Sequence, residues 1–238
     1  MPLSRILGKL YQHESIKRMK NLLRPAKHAL FGKRGIYQVC EEVARLEGGV
    51  RKVNVVFDVG AATGEYAVHF AKTFPEAHIY CFEPLPDSFR KLERRIQPYQ
   101  GRVHAFPYGL YRNDEMKDFY VAAYRDASSL FNRNLPGSEI RKVRFRTLDD
   151  FVRENAIQKI DFMKIDVEGA ELDVIKGGEK SFRHLIDNVF IEIQPSFKGF
   201  YSPDHKDLFS ALYEHGFGFG GVMEDFFFSK LLPGRKKS

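Results

Sequence analysis

VVFDVGAATGEYA, residues 55–67, decides the fold. A β-rich apolar run reaches Asp58, small residues fill the interval from Gly60 to Gly64, and a helical pattern begins at once. Gly60, Ala61 and Gly64 let a turn backbone approach a ligand, and the following helix start offers free N–H groups. The stretch is not the G-x-G-x-x-G dinucleotide fingerprint, because Ala62 and Glu65 stand where the second and third glycines belong. Asp58, just before the turn, would face a bound ligand and suits a positive charge better than a pyrophosphate.

Similar runs recur on either side of helical patterns. AHIYCFEP (77–84), RVHAFPYG (102–109), KIDFMKID (159–166) and NVFIEIQP (188–195) alternate with helical stretches at 64–73, 86–96 and 169–181. Runs apolar on both faces and separated by helices predict a parallel sheet covered on both sides. Right-handed crossovers bring every strand's C-terminal end to one edge, where open α/β sheets bind ligands. DFYVAAY (118–124) and KVRFRTL (142–148) break the rhythm as two extra strands around a polar loop. GFGFGGVMEDFFFSKL (216–231) suits an antiparallel closing hairpin.

Composition narrows the class further. The 238 residues include 22 Phe and only 2 Cys, and the net charge is +7. The aromatic content excludes disorder, and no apolar run approaches the roughly 18 residues of a membrane span. Without an h-region at the start or paired cysteine spacing, a reducing cytoplasm is the expected compartment. Residues 1–34 carry nine Lys/Arg against Glu14 alone, so the rest of the chain is nearly neutral. We therefore divide the chain into a basic helical extension, 1–50, and a catalytic domain, 51–238. Residues 3–24 read as a basic amphipathic helix and 35–47 as a second. The first is expected to dock on its own domain; peripheral contact with an anionic membrane is the competing reading. The sequence leaves the oligomeric state open.

Glu83, followed by Pro84, ends the second run and is placed to accept hydrogen bonds from both hydroxyls of a ribose. The competing reading is a helix cap, a role that Asp87 and Ser88 already fill. Asp58, the small-residue turn and Glu83 together suit S-adenosylmethionine, which has a ribose and a cationic sulfur but no phosphate. Tyr66 and Tyr108 are candidates to flank this cofactor; buried aromatics with satisfied hydroxyls are the alternative.

FDVGAATGEYAVHF, CFEPLPDSFRKLERRI, RTLDDFV, DFMKIDVEGAELDVIKGG and NVFIEIQP, in this order, resemble the successive motifs of the FkbM family of S-adenosylmethionine-dependent methyltransferases. KIDVEGAE is the most specific of them. The resemblance implies a Rossmann-like class I methyltransferase fold with a seven-stranded, mostly parallel sheet. It also implies O-methylation of a hydroxyl on a sugar or secondary metabolite. Ala62 departs from the family's frequent Asn, and Gln194 stands where Glu-x-His is common, which removes a candidate imidazole base.

An alcohol acceptor must lose its proton to a positioned base or to a metal. Lys164, Asp166, Glu168 and Glu192 lie at two neighbouring strand ends and are the candidate catalytic or acceptor-binding residues. Buried ion pairing and helix-start acids are the competing readings. Asp166 and Glu192 could hold a divalent cation such as Mg²⁺, but their ligand count is thin and no metal residue is assigned. The eight His show no zinc spacing. His205 reads as a surface residue at a helix start, the competing reading being an imidazole that reaches the acceptor pocket in place of the missing one. Asp149 and Asp150 read as caps, Glu171 and Asp173 as surface positions in a first helical turn, and Cys40 and Cys81 as packing residues. Ser128, Ser129 and Asn132 either line a polar substrate or turn the chain.

The expected partner is a small-molecule or glycan hydroxyl. Nucleic acid is disfavoured, because the acceptor side is acidic and the fourth run lacks a Pro-Pro-aromatic element. A nucleic-acid methyltransferase and a non-catalytic S-adenosylmethionine-binding adaptor are the alternatives. A nicotinamide reductase is excluded by the absence of a Y-x-x-x-K pair.

Overall fold

The computed structural model describes residues 52–122, 128–131, 137–192, 205–222 and 226–230. The extension at 1–50, Cys40, Asn132 and Gln194 lie outside them. The main sheet is built on β1 (Val55–Val59), β2 (His78–Phe82), β3 (Val103–Phe106), β7 (Ile160–Ile165) and β8 (Ile186–Ile191), with β9 (Phe217–Val222) and β10 (Phe226–Lys230) beyond them. The strand order is β3-β2-β1-β7-β8-β10-β9. The first five strands are parallel, whereas β10 runs antiparallel to both β8 and β9. Every residue of β7 is buried, as expected for a central strand covered on both faces.

Helices α1 (Glu65–Thr73) and α2 (Pro86–Ile96) cover one face. Phe70, Leu92 and Ile96 pack there on Val56, Ile79, Cys81, Phe162 and Phe190. The other face takes α3 (Leu148–Glu154), α4 (Glu171–Lys176), α5 (Glu179–His184) and α6 (His205–Glu214). Phe151, Val174, Phe182, Leu208 and Leu212 pack on Phe57, Met163, Ile165 and Val189. Among the described residues no helix is long and apolar enough to cross a membrane.

The irregular stretch forms a second, three-stranded sheet. Its order is β4 (Gly109–Leu110), β6 (Glu139–Arg146), β5 (Glu115–Val121). Tyr111, Phe119, Val143 and Phe145 pack on Ala170, with Leu85 and Val167 beside them. The small sheet therefore roofs the loops that follow β2 and β7. Arg141 on β6 pairs with Asp87 of α2 at 2.9 Å, so the roof is also tied to the second helix.

Four expectations need correction. The helical pattern at 169–181 is two short helices, because the chain breaks at Gly177-Gly178: a Cβ at Gly177 would stand 2.0 Å from the Tyr111 carbonyl oxygen. Glu171 and Asp173 are not surface positions; they are 1% and 6% exposed. Asp173 is buried because it faces the Arg112 guanidinium, and Glu171 because it folds back on the loop before its own helix. Asp87 and Ser88 do not cap α2, whose N-cap is Leu85 followed by Pro86.

Asp150 does not cap α3: the N-cap is Thr147, whose hydroxyl oxygen accepts from Asp150 N–H at 3.1 Å. Asp149 caps a different helix. It accepts from Lys180 N–H at 3.1 Å and Ser181 N–H at 2.9 Å at the start of α5, whose own N-cap is a glycine.

A very tight approach occurs at Gly60, φ +79°, where a Cβ would lie 1.8 Å from the Asp166 carbonyl oxygen. Gly60→Ala should therefore destabilise the protein by about 3 kcal/mol or more, combining overlap with a left-handed φ. Gly101→Ala, also left-handed but with nothing within 4 Å, should cost only about 1 kcal/mol. Urea denaturation of the two variants checks this; equal midpoints would show that Gly60 is not pinned against β7.

Candidate functional site

Backbone pairing continues past the strand ends and sets the site's spacing. Gly60 and Ala61 N–H donate to the Phe82 carbonyl at 3.1 and 3.0 Å, and Asp166 N–H donates to Val59 at 3.0 Å. Glu192 N–H donates to Ile165 at 3.0 Å. The glycine turn, Glu83, Asp166 and Glu192 thus stand side by side at the C-terminal edges of β2, β1, β7 and β8.

Asp58 and Lys164 are register partners on adjacent strands, so their side chains leave the sheet on the same face. Lys164 Nζ lies 3.5 Å from Asp58 Oδ1 and 3.2 Å from Asp166 Oδ2, and donates to the Gly60 carbonyl oxygen at 3.2 Å. The Tyr66 ring centroid is 4.8 Å from the same ammonium. Lys164 is 1% exposed. Burial pulls its pKa down, but the Asp166 and Asp58 carboxylates outweigh burial and hold it above the ordinary lysine value. The ammonium therefore stays charged, and Lys164 takes the buried ion-pair position that was one of its two readings. Asp58 is fully buried too, and burial raises its pKa against the pull of Lys164. Neither Asp58 oxygen has a hydrogen-bond partner within bonding geometry.

Glu83 ties two loops together. Its Oε2 accepts from Ala62 N–H and its Oε1 from Leu85 N–H, both at 2.9 Å. Burial pushes its pKa up to about 7, against the pull of those N–H groups and Lys164. Ala62, held at φ +47°, presents its N–H to this carboxylate. Pro84 is half-buried between Glu83 and Leu85. Gly64, at φ +83°, closes the turn by donating to the Ala61 carbonyl at 2.8 Å. Tyr108 follows β3 on the far side of β2, against Phe82 and Phe106, with the Arg146 guanidinium 5.6 Å from its ring centroid. Burial raises its phenol pKa.

Glu168 sits in the loop after β7 at φ +55°, two residues beyond Asp166, and both are half-buried. The structure thus brings together Asp58, Gly60, Tyr66, Lys164 and Asp166 in one contact set. Glu83 joins it through the turn backbone, Glu192 stands one strand further along, and Tyr108 lies beyond β2. Glu171, missed as a site residue, opens α4 and bonds back to the same loop; its signal was its spacing in Glu-Gly-Ala-Glu. The roof sheet was foreseen as extra strands but not as a cover. Ser128 and Ser129 turn the chain: Ser128 Oγ accepts from Ala122 N–H at 3.0 Å, and Ser129 Oγ from Phe131 N–H at 2.9 Å. Cys81 is a buried packing residue whose thiol burial pushes well up. His205 begins α6. Among the described residues no three His, Cys, Asp or Glu converge as a metal site.

The residues fit an adenosine-type cofactor at this edge. Each Glu83 oxygen uses one lone pair on a backbone N–H and keeps another for a ribose hydroxyl. Two carboxylates, Asp58 and Asp166, against the single Lys164 ammonium keep the field under the turn negative, which suits a cationic ligand.

A chain with these parallel strands, helices on both faces and acids at adjacent strand ends has the Rossmann-like class I methyltransferase fold. It aligns with a crystal structure of a methyltransferase FkbM from Methylobacillus flagellatus KT at TM-score 0.52 and 18% identity, covering 75% of this chain and 43% of that one. Residues 58–219 match the family model described as the methyltransferase FkbM domain, and the chain belongs to that family. It is 29% identical over 142 residues to the 2-O-methyltransferase NoeI of Sinorhizobium fredii, covering 53% of this chain and 58% of that one. It is 27% identical over 161 residues to the hexuronic acid methyltransferase AglP of Haloferax volcanii, covering 68% and 62% respectively. The chain spans less than two thirds of the length of either curated relative.

Besides Asp58, burial raises Glu83 to about 7 and Glu171 to about 6, both from 4.5. Between 4.5 and these values the folded chain holds protons that the unfolded chain has released, so stability falls as pH rises. For Glu83 the difference corresponds to roughly 3 kcal/mol. Thermal unfolding without ligand should show a falling melting temperature from about pH 5 to 7.5. Glu83→Gln, neutral at all these pH values, should flatten the slope. A slope unchanged in that variant would show that Glu83 is ionised throughout.

Proposed function

We propose that this chain transfers a methyl group from S-adenosylmethionine to a hydroxyl of a saccharide or similar polyhydroxylated acceptor. The observation that carries the reading is the row Glu83, Asp166, Glu192 at the ends of β2, β7 and β8, flanking the Gly60–Gly64 turn on β1. Membership of the methyltransferase FkbM family supports the reaction class. The names of the two curated relatives, a 2-O-methyltransferase and a hexuronic acid methyltransferase, support oxygen as the acceptor atom and a sugar acid among acceptors. We also take residues 51–238 as the catalytic domain, with β9 and β10 as the hairpin completing its seven-stranded sheet. Residues 1–50 are then a basic helical extension that packs on it, in a cytoplasmic protein.

S-adenosylmethionine supplies an electrophilic methyl group on a sulfonium. The residues that would hold it are the Gly60–Gly64 backbone, Glu83 through the ribose hydroxyls, and the rings of Tyr66 and Tyr108. Asp58 and Lys164 act from below: the ammonium fixes the Gly60 carbonyl and an Asp166 oxygen in one frame. The Asp166 side chain remains 23% exposed, open towards an acceptor. Asp166 or Glu168 takes the hydroxyl proton as the acceptor oxygen gains the methyl group, and releases it to solvent afterwards. The rest of the work is alignment, to which the roof sheet contributes by covering the loops after β2 and β7.

Two variants separate these roles. Glu83→Ala should weaken S-adenosylmethionine binding by about 1–3 kcal/mol in calorimetry, the loss of charge-assisted hydrogen bonds. Asp166→Asn should bind the cofactor normally and lose turnover, measured as S-adenosylhomocysteine release with a methyl glucuronide and a neutral hexose glycoside. Unchanged binding in a folded Glu83→Ala protein would remove the ribose role. Full turnover in both Asp166→Asn and Glu168→Gln would remove the carboxylates from the chemistry.

A further inference from the structure

The loop joining β7 to α4 carries both acceptor-side acids, and one of them, Glu168, stands in a conformation that L-residues disfavour. Glu168 is at φ +55° and Gly169 at φ +107°. A side-chain-bearing residue in the left-handed region persists when its surroundings over-determine it. Contacts from two sides hold the loop's ends. Beneath it, Asp166 N–H donates to the Val59 carbonyl at 3.0 Å, and the Asp166 carbonyl fills the space where Gly60 has no Cβ. Above it, Ala170 is 2% exposed and packs under Tyr111, Phe119 and Phe145 of the roof.

The middle of the loop is held from within. Glu171 opens α4, is 1% exposed, and its Oε1 accepts from the Gly169 N–H at 3.0 Å. The N–H groups of Val167 and of Glu171 itself also face this carboxylate, and the Asp166 charge is near enough to act on it. A buried carboxylate is costly unless it is hydrogen-bonded. Here the partners are the backbone of the turn that presents Glu168, and no step of the proposed reaction employs the group.

We propose that Glu171 is a positioning residue: by holding the Val167–Gly169 backbone it sets the direction in which Asp166 and Glu168 meet the acceptor. The proposal rests on the reading that those two acids serve the acceptor. Glu171 itself touches neither cofactor nor acceptor. Its removal should therefore act on turnover and spare cofactor affinity.

The test compares Glu171→Ala, Glu171→Gln, Gly169→Ala and the Glu171→Ala/Gly169→Ala double variant in the full chain, with the glycoside that gives wild-type turnover. Glu171→Ala should lower kcat by about a hundredfold, the scale of a misplacement of about 1 Å, and leave the S-adenosylmethionine Kd within about twofold. Glu171→Gln keeps an oxygen for the Gly169 N–H and should recover kcat to within about tenfold of wild type. Gly169→Ala strains the same turn and should show the same kcat-selective loss. The double variant should lose no more than the worse single, since both changes release one element.

Wild-type kcat in Glu171→Ala, or equal losses in kcat and cofactor affinity, would overturn the proposal. If Glu171→Ala does not fold, Gly169→Ala decides by the same criteria. Loss of turnover in Asp166→Asn beside wild-type turnover in Glu171→Ala would sink this inference alone. Full activity in Asp166→Asn and Glu168→Gln would sink the underlying reading.

Discussion

The Lys164 ammonium, held between Asp58 and Asp166, is the contact on which the site depends. It joins β1 to β7 just below their C-terminal ends and holds the Gly60 carbonyl in the same frame. A buried and a half-buried carboxylate at adjacent strand ends would repel each other; one cation between them turns that repulsion into a clamp. Replacing the triad by apolar residues could preserve the sheet. It would not preserve the geometry of the turn above it, because the Gly60 carbonyl would lose its charged donor.

Around that clamp the site is assembled from backbone hydrogen bonds as much as from side chains. Glu83 binds the N–H groups of Ala62 and Leu85, so the loop after β2 and the turn after β1 move as one piece. Asp166 and Glu192 are aligned because the parallel ladder runs one residue beyond each strand. The small sheet then presses on Leu85, Val167 and Ala170, coupling both acidic loops to one cover. Cofactor-side and acceptor-side residues are thus connected through short, buried, directional contacts, the kind of support that holds reacting groups in place.

Burial sets the chemistry of the acids. Glu83 and Glu171 are both pushed towards neutrality by desolvation, and both are answered by backbone N–H groups. A ribose hydroxyl donating to Glu83 would favour its ionised form, so cofactor binding and proton release belong to the same equilibrium. Glu171 has no such ligand. Its hydrogen bonds are spent on the loop.

Much of this was legible in the sequence. The runs ending in Asp58, Glu83, Asp166 and Glu192 read as parallel strands because they are apolar on both faces, and their common edge follows from right-handed crossovers. The small residues from Gly60 to Gly64 announced the turn, since a bulky side chain could not sit against β7. What the sequence could not determine was partnership. Lys164 and Asp166 look alike as charged strand-end residues; register with Asp58, 106 residues before Lys164, made Lys164 a buried cation and left Asp166 partly open. Glu171 read as a surface residue in a first helical turn, and became buried because its carboxylate folds back on the Gly169 N–H of a loop that the small sheet covers at Val167 and Ala170. Local pattern fixes which face of a strand or helix is apolar. Which charges meet, and which are closed from water, is decided by contacts between segments distant in sequence, and these only the tertiary structure determined.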